Sequence, residues 1–305
     1  MHDNTETEIW LLGQPLLNDY LYFIDDAVVE GQSMDKRALV AEWSAANDYY
    51  HKLSVLEKNI ADSVGCQTLK PELSTHIDAL KQDARFRHTF NRLPTRFGLV
   101  ELDKLVVYQL HVTETFIKTL TKSITPTLSD DALCQFCLPL EAASPVVHGQ
   151  KMGTQRYLFQ SVSSDFQFQE ALLLKSEQLQ HYENYGKTTN MLGLAVGFGS
   201  NFLNVIEDDD SKRLLLHNGY HRACALRAQG ITHAPCIIQT VTRRDELDMI
   251  AYSTVAKSPG YYFNAPRPPL LKDFFDCKIR KILPIKKRLK AIEISFDIKE
   301  YWLYQ

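Results

Sequence analysis

An α+β protein, with a helical N-terminal half joined to a mixed α/β half, is what the sequence predicts, and three observations predict it. Apolar residues from Glu8 to about Leu140 recur at helical spacing. From Tyr157 the period shortens to that of strands, in Tyr157-Leu158-Phe159-Gln160-Ser161-Val162 and Phe166-Gln167-Phe168. Between the two, Glu141 to Arg156 collects Ala, Ser, Pro, Gly and Gln, the composition of a connector. A helical domain at 1–145 and an α/β domain at 146–305 follow from that placement.

Taken in order, Leu16, Leu17, Tyr20, Phe23, Ile24, Ala27 and Val28 form one apolar helical stripe, and Leu39, Trp43, Ala46 and Tyr50 a second. Gly31 to Asp35 separates them, with Gly31 as a stop and Ser33 or Asp35 as the next N-cap, so the pair should form an antiparallel hairpin. Further helices are expected at Pro71 to Gln82, around Leu102 to Leu120 and at Asp130 to Phe136, separated by the turn formers around Pro94 and Pro126. In the second half a helix is expected from Glu170 to about Tyr182. Strands are expected at Leu203 to Ile206, Arg213 to His217 and Ala234 to Val241, with a helix at Arg222 to Gln229 stopped by Gly230.

Composition bounds the function. In 305 residues, 45% are hydrophobic and 23% charged, which excludes a disordered, collagenous or disulfide-scaffold chain. The 34 Lys and Arg against 37 Asp and Glu give a net charge of −3, so nucleic acid or an anionic membrane would have to meet a local patch. Met1-His2-Asp3-Asn4-Thr5-Glu6 lacks the basic start of a secretory signal, and the longest uncharged apolar run, Met191 to Phe202, is too short for a bilayer span of roughly 20 residues. A soluble cytoplasmic protein with no membrane partner is expected. Six cysteines in so long a chain fit free thiols in a reducing compartment.

The informative stretch runs from Arg213 to Ile238: strand, glycine turn, helix, glycine stop and strand. Gly219 lets backbone approach a ligand, and the residues after it begin a helix whose unbonded N–H groups and dipole favour an anion. Arg222 suits a forked grip on phosphate oxygens, and His221 can donate to them or move a proton. Asn218 can touch a ligand, but Asn before Gly is also a common turn pair.

Asn218-Gly219-Tyr220-His221-Arg222, followed by an Ala-rich helix, Gly230 and Pro235 before a strand, resembles the ParB/sulfiredoxin-like superfamily, whose members carry a Gly-x-His-Arg or Gly-x-Arg-Arg turn there. The likeness covers about Tyr157 to Arg243 and includes the run from Gly193 to Val205. It implies a nucleotide-phosphate turn like those of CTP-binding partition proteins, ATP-using sulfiredoxins and ADP-dependent free-serine kinases. ATP, ADP or CTP with Mg²⁺ would then be the cofactor, a small molecule the acceptor, His221 and Arg222 the catalytic residues, and Asn218, Gly219 and Tyr220 further ligand contacts. Tyr220 stands where sulfiredoxins have their cysteine, and Cys224 comes one helical turn too late to replace it. Thr242-Arg243-Arg244-Asp245-Glu246-Leu247 replaces the Glu-Asn-x-x-Arg box of the partition proteins. The turn is closest to the free-serine kinase branch, where a carboxylate elsewhere assists transfer; Glu170, Glu207 and Asp208 are the candidates.

Other features carry quieter readings. Glu207-Asp208-Asp209-Asp210 suits Mg²⁺, but a solvated hairpin tip better, and no residue is assigned as a metal ligand. Cys134-x-x-Cys137 reads as two buried thiols on a helix. Lys278-Ile279-Arg280-Lys281 and Lys286-Lys287-Arg288-Leu289-Lys290 read as a solvated face; they also suit nucleic acid, or the acidic residues of a second subunit in a homodimer. Ser258 to Pro269 is a stiff Pro-rich loop, either a strap over the core or a pocket wall from which Arg267 reaches a ligand anion. Nucleotide binding with hydrolysis or phosphoryl transfer is therefore the expected function, and its rival is a DNA- or protein-binding adaptor without catalysis.

Overall fold

The computed structural model describes residues 5–14, 16–62, 64–125, 128–141, 145–163, 165–175 and 190–304. It is α+β. In chain order the elements are β1 (Thr5–Leu11), α1 (Leu17–Ala27), α2 (Lys36–Leu56), β2 (Cys66–Gln67), α3 (Ser74–Gln82), α4 (Ala84–Thr89), β3 (Thr95–Glu101), β4 (His111–Thr113), α5 (Glu114–Thr121) and α6 (Asp130–Cys137). There follow β5 (Val147–Gly153), β6 (Arg156–Ser161), β7 (Phe166–Lys175), β8 (Asn190–Phe198), β9 (Asn204–Asp208), β10 (Leu214–Asn218), α7 (Tyr220–Ala228) and β11 (His233–Val241). Three short helices, α8 (Leu247–Ile250), α9 (Ser253–Lys257) and α10 (Pro259–Phe263), precede β12 (Arg280–Lys286) and β13 (Lys290–Ser295).

Strand pairing cuts the chain differently from a boundary at 145/146. One unit combines Met1–Glu141 with Phe202–Lys287, and the other combines Ala142–Asn201 with Arg288–Gln305. In the first unit β1 lies between β12 and β4 in an antiparallel sheet, while five strands run in the order β10-β9-β11-β3-β2. There β9 and β11 are parallel and β3 joins β11 antiparallel, from His233↔Glu101 to Gln239↔Thr95. The supposed helical domain thus supplies strands to both sheets. The second unit holds an antiparallel sheet β13-β6-β5 and the hairpin β7-β8.

Two helix expectations fail. Leu102 to Leu120 is one 3₁₀ turn, the short strand β4 and only then α5, because Leu102, Leu105, Val106 and Val107 are all fully buried and a single-faced helix cannot bury such a run. Glu170 to Lys175 belongs to β7, paired to β8 from Glu170↔Ala195 to Lys175↔Asn190; the rest of that expected helix lies outside the described residues. Gly98 in β3 shows how tightly the larger sheet is assembled, since a Cβ there would fall 2.1 Å from Cys66 Sγ.

The local expectations hold better. α1 and α2 pack on each other, with Asp35 as the N-cap of α2, its carboxylate accepting from Arg37 N at 2.9 Å. Ser33 instead donates to the Glu30 carbonyl. The centre of the larger sheet is mainly apolar: Val205, Ile206, Leu214, Leu215, Leu216, Ile237 and Ile238 are fully buried, at about 1.5–3 kcal/mol of transfer free energy per side chain, with Asn204 and Gln239 as buried polar neighbours. All six cysteines are free, and burial pushes the Cys134 thiol up to about 11 and that of Cys137 higher still, so neither is a ready thiolate. Among the described residues no helix is long and apolar enough to cross a membrane.

Candidate site at the turn between β10 and α7

The β10-turn-α7-β11 crossover is built by local rules. Small residues in Tyr220-His-Arg-Ala-Cys-Ala-Leu-Arg-Ala228 let α7 lie close on the sheet, with Ala223, Cys224, Ala225 and Leu226 fully buried. Gly219 takes φ +94°, the left-handed region, and a Cβ on it would sit 3.0 Å from Leu203 Cα. Gly230, at φ +79°, ends the helix. Gly219→Ala is expected to cost about 1–3 kcal/mol in urea unfolding, combining left-handed strain with the Leu203 contact. A variant as stable as the parent chain would show that the turn is less tightly set.

Each side chain of the motif has a definite place. Asn218 Oδ1 accepts from Gly219 N at 2.6 Å, so Asn218 works as a turn former. Tyr220 is buried: its hydroxyl donates to the Leu216 carbonyl at 2.8 Å and accepts from Tyr108 N at 3.1 Å and Gln109 N at 3.4 Å. That phenol pins the 108–109 backbone to α7, and burial pushes its pKa well up. His221 Nε2 accepts from Thr113 N at 3.1 Å, and Phe116 packs edge-on against the ring at 5.1 Å. Burial, helped by the nearby His111 and Arg222 charges, lowers the His221 pKa to about 4. The ring is therefore neutral at pH 7 with its proton on Nδ1, which suits a hydrogen-bond donor and not a proton shuttle. Arg222 lies near enough to α6 for its charge to oppose the burial effect on the Cys137 thiol. The amides of Tyr220, His221 and Arg222 form the first turn of α7, where no intrahelical acceptor exists.

Neither Glu207 nor Asp208 joins this turn. Asn204 pairs with Asn218, and Glu207, three residues further along β9, is about 10 Å down the strand. Glu207 is bonded there to Arg96 at 2.8 Å and to Thr240 Oγ1 at 2.9 Å. Asp208 is buried and paired with Arg244 at 2.7 Å, and it also accepts from Ser211. Only Asp209 and Asp210 occupy the expected hairpin tip. Glu170 belongs to the other unit. Among the described residues no three His, Cys, Asp or Glu side chains converge as a metal held by the protein alone would require.

No protein-family model, curated protein or solved structure matches the chain.

The carboxylate that does approach the turn is one that sequence reasoning misses. Glu8 on β1 is buried; Trp10 Nε1 donates to its Oε2 at 2.8 Å, and His111 Nδ1 lies 3.4 Å from the same oxygen. The pairing Glu8↔Thr113 and Trp10↔His111 places it beside the strand that also bonds His221. The only sequence signal is the alternation Thr5-Glu-Thr-Glu-Ile-Trp-Leu11, which puts Glu6, Glu8 and Trp10 on one face of a strand.

Two other stretches for which a ligand contact was one alternative make contacts within the chain. Arg267 is buried and bonded to Asp273 and Glu57, which makes the Pro-rich loop a strap. In the basic run Lys281 pairs with Glu42, Lys286 donates to the Asp26 carbonyl at 2.8 Å, and Lys278 lies 4.8 Å over the Tyr49 ring. These contacts draw on the charge that a nucleic-acid surface would use.

Proposed function

We propose that the chain binds a nucleotide, with its phosphates against the Gly219 turn and the first turn of α7. The observation that carries this reading is the conjunction at one helix start: a left-handed glycine, first-turn amides without intrahelical acceptors, and an imidazole fixed as an Nδ1–H donor. In this reading the backbone at Gly219 and Tyr220 cradles phosphate oxygens, His221 donates to one of them and Arg222 neutralises charge. The resemblance to ParB/sulfiredoxin-like turns is the reason for choosing a nucleotide over another anion. Hydrolysis or transfer to a small acceptor is the implied chemistry, and any Mg²⁺ would arrive on the phosphates.

The test is thermal unfolding with ATP, ADP, CTP and GTP, each with and without Mg²⁺. At a hundred times Kd, a ligand bound only by the folded chain adds about 2.7 kcal/mol. A shift selective for one nucleotide, lost in an Arg222→Ala variant that keeps the parent far-UV spectrum, is the expected result. No shift with any of the four, or an unchanged shift in Arg222→Ala, would overturn the assignment.

A further inference from the structure

The second unit is short of a core of its own. Among its described residues Phe166 is the one apolar side chain that is buried, while Phe168, Leu173, Leu192 and Leu289 are exposed. Apolar surface left uncovered on that scale marks an interaction face. The sheet of this unit runs β13-β6-β5, so β13 is an edge. Phe296 N donates to the Gln155 carbonyl at 3.2 Å, on the β6 side. Backbone groups alternate sides along a strand, so those of Ala291, Glu293 and Ser295 point away from β6, along the open edge. Beyond β13, residues 296–304 are exposed throughout, Trp302 at 90% and Tyr304 at 97%, and belong to no strand. In extended form they continue the alternation of β13, with Ile292, Ile294, Phe296, Ile298 and Trp302 on one face.

We infer that two copies of the chain pair through this segment, each laying residues 297–303 antiparallel along the β13 edge of the other, about a two-fold axis at Phe296. An axis normal to the sheet keeps each side chain opposite one of its own face, so it passes through a residue, and charge selects which. With Phe296 at the centre, Glu293 of each copy meets Lys299 of the other, Leu289 meets Leu303, Ile294 meets Ile298 and Phe296 meets itself. Ile292 against Glu300 is the mismatch in this register. One step back, at Ser295, Glu293 would face Asp297; one step on, Asp297 would face itself, and like charges directly opposite destabilise a sheet. The Phe296 register also joins Ser295 to Asp297, through the backbone groups that the edge turns outward. Within its own chain Glu293 lies 3.5 Å from Arg156 with both side chains 53% exposed, a weak pair that a second cation can share. Because the segment complements itself, its occupant is a second copy, and the two three-stranded sheets merge into one.

The test is molar mass by light scattering over about 1–100 µM of the full chain and its variants. The parent should rise toward twice the 35.0 kDa of one chain. Ser295→Pro removes an outward N–H and leaves the β6 ladder whole, a change that an edge strand tolerates, and it should hold the chain monomeric. Lys299→Glu should raise the dissociation constant about tenfold or more, and adding Glu293→Lys should return it to within about threefold of the parent. A parent mass that stays at one chain would overturn the inference, as would a dimer indifferent to both Ser295→Pro and Lys299→Glu. A monomer whose tryptophan emission shifts to the blue on phosphatidylcholine vesicles, with the shift lost in Trp302→Phe, would give the segment to a lipid surface and overturn it too. Should Ser295→Pro fail to fold, the charge exchange decides.

Discussion

Arg267→Ala is expected to lose about 3–5 kcal/mol of stability, the largest effect of any single substitution considered for this chain. The side chain is 1% exposed and its guanidinium is bonded to both oxygens of Asp273, at 2.6 Å each, and to Glu57 Oε2 at 3.0 and 3.1 Å. Lys272 holds the other Glu57 oxygen at 2.7 Å, and Leu270 N donates to Asp273 at 2.9 Å. The guanidinium also lies 5.2 Å from the Tyr50 ring centroid, and the Tyr50 hydroxyl donates to the Arg267 carbonyl. One cation thus ties α2 to the segment between α10 and β12. Removing it strands Asp273 at 2% exposure without its counter-charge, where burial pushes the carboxyl pKa up. The cost comes from that uncompensated carboxylate more than from lost attraction, so the double variant Arg267→Met with Asp273→Leu should recover much of the loss. Urea unfolding of the two single variants and the double settles the point. A double variant no more stable than Arg267→Ala would show that packing against Tyr50, and not charge, is what the strap supplies.

The second large effect is acid destabilisation through two histidines. Burial lowers the pKa of His217, and burial with the His111 and Arg222 charges lowers that of His221, each to about 4. The His217 ring packs at a tilt against Tyr252, with centroids 5.1 Å apart, and its Nδ1 is buried without a hydrogen-bond partner. Both rings are neutral in the fold and take up protons near pH 6.5 once unfolded. The unfolded chain therefore binds more protons below pH 6.5, and stability present above that value drains away as pH falls toward 4. Both residues are half-buried, so about 2 kcal/mol each is the expected scale. The stretch from pH 6.5 to 5 lies above the usual carboxylate range and reports the histidines. Urea midpoints across it should fall for the parent chain and fall less for His217→Phe, which keeps a ring against Tyr252, and for His221→Gln, which keeps an acceptor for Thr113 N–H. Equal slopes in all three would remove the histidines as the cause.

How much was legible in the sequence depended on where each signal lay. The crossover from Arg213 to Ile238 could be read because its instructions are local: a left-handed glycine before the helix, another after it, and apolar strands on either side. Asp35 as a cap and the α1-α2 pair were legible for the same reason. β1, β3 and β4 were not, because their strand identity comes from partners far along the chain. Glu8 was hidden for this reason too: its meaning depends on His111, which only the β1-β4 pairing brings opposite Trp10. The role of Arg267 stayed open between strap and pocket wall because a loop arginine beside prolines looks the same whether its anionic partner is a ligand or Asp273.

The pairing of β1 with β12 bears on how the polypeptide is made. Leu11 meets Arg280 and Thr5 meets Lys286, a separation of about 270–280 residues. At roughly 5–20 residues per second, ribosomal synthesis keeps the first strand waiting for about 15–55 s before its partner emerges. During that interval one edge of β1 is an open template, and the Ile9 and Leu11 face lacks half its cover. Nascent chains stalled short of Arg280 should be the species that trigger factors and proteases find first.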